Sequence, residues 1–429
     1  MNRVTMLSPV ITNSHYQITH ERNSYIMPNS YNILLVGGTF SNTANPDGSY
    51  GAVSSVLRHV YNALNNYPNF TIKYVNGGKY DILKTLLTST PQYDFVFWWA
   101  NVNNSLEKMR NVKEIAPRTM LISSKRNDNQ KYNFQELIQR SLALKSNLTF
   151  EFRKTNTGLF NMMIFDPLGT VWYDGTDINK AVDNCVKRML FLKAMTRQNT
   201  VQDTDDKTLI MKWYFDQFKQ PEYQSDKTIP IPDEQDFVNV VRTYAKEFQK
   251  FMPTNCKTER FIGNASLRKL PPQVGRCGKG MPSFRGSDNI IFVSKRNIDK
   301  QFIELDNFVP VWLDNNKLMY SGPDKPSVDT PVQVRLYQTL DHINYILHSH
   351  CYIKNAPFTT TAIPCGAIEE YDEIMKLLSD SQIDTHRNQY VINLIGHGSI
   401  IMWNDMQQFH EDIEPKLAYY KRNIPEYMS

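Results

Sequence analysis

Long apolar runs are missing from this 429-residue chain: no stretch of about eighteen such residues occurs, so no segment reads as a membrane-crossing helix. Residues 1–30 are polar and lack the short apolar core of a secretory signal, which leads us to expect a cytoplasmic protein. Cysteine is scarce and unpaired in pattern. The five residues, Cys185, Cys256, Cys277, Cys351 and Cys365, contain no CxxC, which argues against a disulfide framework and a thiolate zinc site and for a reducing setting. Neither GxGxxG nor GxxxxGK[ST] is present, so no dinucleotide fingerprint or P-loop exists. Charge of one sign is not in excess either. A net charge of +5 from 48 basic and 43 acidic residues makes no electrostatic case for a nucleic-acid partner. Internal repeats and low-complexity tracts are also absent, which removes solenoids and fibrous folds.

What remains is an α/β pattern long enough for two domains. Residues 1–30 read as a tail. From residue 31 short apolar runs at 32–36, 70–75, 94–99, 119–123 and 160–165 alternate with helical spacing at 51–64 and 80–87. Such alternation predicts a Rossmann-like, doubly wound domain over 31–197. Its first strand runs into Gly37, Gly38 and Thr39, and a turn containing Gly48 and Ser49 precedes the helix, a layout suited to cradling the phosphate of a nucleotide. The glycine loop resembles those of pantothenate-pathway ligases and glycosyltransferases, with no motif to choose between them. Residues 198–235, polar and rich in Asp and Pro with a short helix at 209–218, read as a linker. A second domain over 236–429 opens with a helix at 234–251. Strands follow at 289–293, 308–312, 317–320, 345–351 and 390–395, with helices at 331–340, 371–378 and 405–420.

Six of the nine histidines fall between His342 and His410. His348 and His350 stand two apart in a predicted strand and therefore point to one face. His397, flanked by Gly396 and Gly398, follows 47 residues later. Three imidazoles leave a divalent ion open to water or substrate, the arrangement of a catalytic site. Zinc suits that donor set first, with manganese or iron as alternatives.

In order and spacing these motifs resemble the class II aldolase/adducin family. The resemblance rests on Gly263-Asn264-Ala265-Ser266, Val293-Ser294-Lys295-Arg296, Pro326-Ser327-Val328-Asp329, His348-Ser349-His350 and His397-Gly398, over about 236–429. It implies an α/β/α domain with His348, His350 and His397 on the metal. Asp329, nineteen residues before His348, takes the place of the family's catalytic acid, where glutamate is usual; it also precedes Thr330-Pro331 at a predicted helix start, which suits an N-cap. Asn264 and Ser327 match phosphate-binding positions, and Lys295 and Arg296 replace the family's glycine loop, where they could contact an anion directly. The resemblance further implies a homo-oligomer, with tetramers general in the family, and in some members a proton-donating tyrosine near the C-terminus, here Tyr419 or Tyr420.

The expected function is accordingly a metal-dependent lyase, epimerase or dehydratase acting on a small sugar or sugar phosphate through an enediolate-type intermediate, beside a possible nucleotide-binding domain. Two alternatives stand: an adducin-like scaffold, against which the retained histidines argue, and a glycosyl- or nucleotidyl-transferase working through the N-terminal domain.

Overall fold

The computed structural model describes residues 31–37 and, apart from short breaks, 59–98, 120–198, 223–268 and 290–424. The tail, Gly38, Thr39, Gly48, Ser49 and the short helix at 209–218 lie outside the described residues.

Two sheets organise the chain. In the first, β1 (Tyr31–Gly37), β2 (Phe70–Asn76), β3 (Phe95–Trp98), β4 (Met120–Arg126) and β5 (Leu148–Lys154) are parallel in the order 2-1-3-4-5. The strands β6 (Phe160–Phe165) and β7 (Val171–Gly175) extend it antiparallel. Both faces of the parallel strands are covered, as their continuous apolar runs require. Leu34, Val36, Val96 and Trp98 pack toward Leu83 of α1 (Tyr80–Ser89). The alternate residues Ile33, Leu35, Phe95 and Phe97 pack toward Val60, Leu64 and, on α3 (Ile178–Gln198), Val182 and Val186. Between these helices α2 (Phe134–Ala143) starts at a capping box, Asn133 receiving the Glu136 N–H and Glu136 the Asn133 N–H. The sequence pattern left β5, β7, α2 and α3 unread. In β5 the cause is visible: Thr149 and Glu151 interrupt the apolar run yet are buried, with Asn127 bonding the Glu151 carboxylate.

The second sheet runs β16-β17-β15-β11-β12-β13-β14-β8. Its members are β8 (Tyr223–Ser225), β11 (Asn264–Arg268), β12 (Ile291–Ser294), β13 (Phe308–Asp314), β14 (Lys317–Ser321), β15 (Tyr345–Ser349), β16 (Gln389–Leu394) and β17 (Gly398–Trp403); β9 (Asn255–Cys256) and β10 (Arg260–Phe261) form a separate ladder. All pairs are antiparallel except β8 with β14. Two-residue periodicity divides the side chains. Phe292, Phe308, Leu347, Ile401 and Trp403 meet Phe237, Val241 and Phe248 of α4 (Gln235–Phe251). Val293, Val309, Ile346, Ile400 and Met402 meet Val332 and Leu336 of α5 (Thr330–Thr339) and Ile374 and Leu378 of α6 (Glu369–Asp380). Helices therefore cover both faces.

Three features depart from the sequence pattern. Residues 223–225, expected in a linker, pair with β14 as an edge strand. The helix expected at 405–420 breaks up: Met406–Gln408 passes into a wide turn at Phe409–Ile413 and a 3-10 turn at Glu414–Lys416, after which Tyr419 bridges to Ile353. Pro415 lacks the N–H a continuing helix needs. Most consequentially, the halves share one core. Leu137, Ile138 and Leu142 of α2, with Met163, Phe165 and Val171, belong to the same buried cluster as Phe237, Phe248 and Trp403.

Candidate metal centre

The histidines meet because β15 lies beside the β16–β17 hairpin. Ser349 of β15 pairs with Ser399 of β17, so the hairpin tip projects past the end of β15. The tip is the three-residue loop Ile395-Gly396-His397, closed by His397 N–H to Leu394 O at 2.9 Å. Gly396 takes φ +74 and Gly398 φ +143, conformations that L side chains rarely adopt. At Gly398 a Cβ would run into the carbonyl oxygen of Ser349 and stand 2.6 Å from His350 Cα. This close approach of two backbones is what carries His397 to its partners. Ring centroids of His348 and His397 are 4.5 Å apart, and those of His350 lie 5.1 and 5.2 Å from them. One ring nitrogen of each lies within 4.8 Å of those of the other two, and all three residues are buried.

The surroundings orient these rings toward each other. His348 Nδ1 is bonded to the Ser399 carbonyl oxygen at 2.9 Å, which makes that nitrogen the N–H and leaves Nε2 as a lone-pair donor. That buried Nε2 has no hydrogen-bond partner. His397 Nδ1 meets Glu370 Oε1 at 2.5 Å, the carboxylate–histidine pairing that fixes tautomers at metal sites. Burial, followed by the neighbouring His397, pushes His348 down to about 3, and burial drives His350 well below its usual value. Both imidazoles are thus neutral, as ligands must be. An orphaned buried nitrogen amid three converging imidazoles fits a divalent cation.

Asp329 stands at the start of α5, yet its side chain makes no capping bond. Its Oδ2 instead accepts from Asn264 Nδ2 at 2.6 Å and lies 4.0 Å from His348 Nε2. Its backbone thus holds the N-cap position while its carboxylate faces the histidines. Asn264 pairs with His348 across β11 and β15, and its amide oxygen accepts from Gln333. Both ends of that amide are therefore engaged in holding Asp329. Ser327 Oγ accepts the Asp329 N–H at 3.4 Å. Lys295 turns away and pairs with Asp324 at 3.0 Å, in the groove beside β8 and β14. Arg296 is half-buried, its N–H bonded to Lys325 O, and does not line the pocket that His348 and His350 share with Lys300. Tyr419 is core, stacked edge-on against Phe248. Cys351 is core as well. Of the proposed nucleotide loop only Gly37 is described, at the end of β1.

Two more residues stand beside the histidines, and for the first of them sequence reasoning favours a purely structural place at a helix start. Glu370 sits in the acidic first turn of α6, where helix-dipole compensation explains a glutamate equally well. Burial raises its carboxyl while His397 opposes the shift. Lys300 follows β12 in a polar stretch with no motif around it. It lines a pocket with Gly263, Asn264, His348 and His350 and is 8% exposed, and burial pushes its ammonium down to about 8.

The N-terminal half braces the His397 loop from behind. Asp166, wholly buried, accepts from the Leu168 and Thr170 N–H groups and from Trp172 Nε1, and pairs with Arg188 at 3.5 Å. Arg188 lies over the Trp172 ring and reaches Gly396 O at 3.5 Å. Tyr352 Oη bonds Thr170 Oγ1 and accepts the Gly396 N–H at 2.7 Å. A Cβ on Gly396 would stand 2.9 Å from Trp172.

Residues 248–401 match the family described as Class II Aldolase and Adducin N-terminal domain. A relative is the methylthioribulose-1-phosphate dehydratase of Acidiphilium cryptum (strain JF-5), 26% identical over 139 residues, 32% of this chain and 61% of that protein. The chain thus spans about three fifths of the curated relative it matches. Among solved structures, the DNA/pantothenate metabolism flavoprotein from Streptococcus pneumoniae is 10% identical, with a TM-score of 0.28 over 38% of this chain and 98% of its own. A likeness of that size carries no argument. Among the described residues no helix is long and apolar enough to cross a membrane.

Proposed function

We propose that the C-terminal domain is a metal-dependent lyase of the dehydratase or aldolase type acting on a small sugar phosphate. The observation that carries this reading is the convergence of His348, His350 and His397 with Asp329 beside them. The sugar-phosphate substrate is supported by the family match and by the name of the relative, whose own substrate is a ribulose phosphate. A divalent cation in the imidazole cluster, zinc first by donor type, would polarise a substrate carbonyl and neighbouring hydroxyl. The protein's residues do the rest. Asp329 takes the proton from the carbon beside the carbonyl, as formation of an enediolate requires. Asn264 and Gln333 keep that carboxylate aimed at the cluster, and Glu370 and the Ser399 carbonyl hold two imidazoles in the tautomer that faces inward. Assembly as a homo-oligomer belongs to the same reading and is checked by sedimentation.

Metal analysis of the purified protein and of His348→Ala and His397→Ala tests the core of the reading. Wild-type protein is expected to carry one divalent ion per chain, with loss in both variants. Full occupancy in both would sink it. A second reading concerns the first sheet, a Rossmann-like nucleotide-binding unit. It is supported by the strand order, which reverses between β1 and β3, the place where open α/β sheets take ligands. Melting shifts with a panel of nucleotides test it.

A further inference from the structure

Lys300 poses a physical question that the proton-transfer chemistry leaves unanswered. It sits on a short turn, Lys300–Phe302, packed against α4, and projects into the pocket that also contains His348 and His350. More than nine-tenths of it is buried. No described residue gives its ammonium an ion pair or a hydrogen bond, and the rest of the pocket wall is largely apolar: Val241, Ala245, Phe248 and Leu347. The carboxylates acting on it at longer range are Asp299 and Asp329. A deeply buried side chain whose ammonium has no partner among the described residues is costly to keep charged, and an anion entering the pocket it lines would offset that cost.

Two of the residues expected to hold an anion are engaged elsewhere. Asn264 is engaged at both ends of its amide, and Lys295 is paired with Asp324 away from the histidines. With a divalent cation in the cluster, Asp329 and Glu370 are the carboxylates that meet the histidines among the described residues, and Lys300 adds a further positive charge. The region is therefore suited to an incoming oxyanion.

We propose that Lys300 is the anion-binding residue of this site: its ammonium donates to an anionic oxygen of the substrate and selects phosphorylated over neutral sugars. The inference rests on the preceding functional reading for the identity of the substrate, but not for the binding of the anion itself. No bond is made or broken by Lys300. The interaction is a charge-assisted hydrogen bond in a poorly solvated pocket, where such bonds are strong.

The test compares full-length wild type, Lys300→Met and Lys300→Arg, each with and without bound zinc, using inorganic phosphate as the probe in calorimetric titrations. Methionine keeps the length and apolar stem of lysine and removes the charge. Phosphate affinity should fall at least about tenfold in Lys300→Met and be partly retained in Lys300→Arg, with zinc content unchanged. Without phosphate, Lys300→Met should melt at or above the wild-type temperature, because it discards an uncompensated buried charge. Equal phosphate affinity in wild type and Lys300→Met overturns the proposal, as does failure of wild type to bind phosphate. A Lys300→Met that unfolds or melts well below wild type overturns it too, since the ammonium would then have a structural partner. Absence of zinc from wild type would instead remove the metal reading, and the phosphate titration of metal-free protein would still decide the role of Lys300.

Discussion

Replacing Gly398 by alanine places a methyl group where two backbones already touch. The new Cβ meets the Ser349 carbonyl oxygen and stands 2.6 Å from His350 Cα and 2.9 Å from Ser349 C, and none of these atoms can rotate away. The end of β15 must separate from the hairpin that carries His397. Overpacking of this kind costs about 1–3 kcal/mol. Holding an L residue at φ +143 adds roughly 1–2 kcal/mol. About 3 kcal/mol in total corresponds to a fall in melting temperature of roughly 6 °C for a cooperative unit of a couple of hundred residues. The separation falls between His350 and His397, so metal affinity should drop about 10- to 100-fold, the scale seen when the support of a ligand is disturbed. Gly158→Ala is the matched control. Its φ is +82 but nothing lies within 4 Å of the added Cβ, so only the backbone cost of about 1 kcal/mol applies and metal binding should not change. The assays are thermal melting and a competitive zinc titration. The reasoning fails if Gly398→Ala melts within about 1 °C of wild type, or if it binds zinc as tightly as Gly158→Ala does.

Three further expectations can be checked on the same protein. Glu370→Gln keeps the shape of the side chain but withdraws the charge behind His397 Nδ1, so zinc affinity should weaken about 10- to 100-fold while the metal-free fold persists by circular dichroism. Arg188→Met strands the wholly buried Asp166 carboxylate, and should cost about 3–5 kcal/mol in melting experiments. Asp166→Asn added to it should restore part of that loss, and strict additivity in the double-mutant cycle would mean the pair is not coupled. His410 is raised above its usual value chiefly by its bond to Glu414. Its stabilising effect is therefore complete below about pH 6.5 and lost as pH rises through the higher folded value. With the side chain 40% exposed, the effect is a few tenths of a kcal/mol. His410→Gln should thus lower the melting temperature at pH 6 but not at pH 9, and a larger loss at pH 9 would contradict the assignment.

Much of the second sheet was legible because its residues obey local rules. Short continuous apolar runs mark β12, β13 and β15 at sight, and Thr330-Pro331 marks the start of α5. The first sheet was half legible. Its strands β1 and β3 are unbroken apolar runs, whereas β5 hides behind Thr149 and Glu151, whose burial is made possible by Ser123, Ser141 and Asn127. Partners 8 to 26 residues away cannot be read from a local pattern.

The same division holds at the site. Sequence alone singled out the three histidines as candidate ligands and the acid before them, because metal ligation demands specific donor types and HxH in extended chain places two on one face. It also determined the glycines around His397, which a turn with two positive φ angles requires. Only the tertiary structure decided what stands behind those residues. It bonded Asp329 to Asn264 beside His348, placed Glu370 under His397, turned Lys295 toward Asp324 and brought Lys300 to the pocket that His348 and His350 line. It also joined two expected domains through a shared core and a buried Asp166–Arg188 brace. The reason is range: ligand identity is a property of one side chain, whereas orientation, burial and charge compensation are properties of neighbours that the chain brings together only by folding.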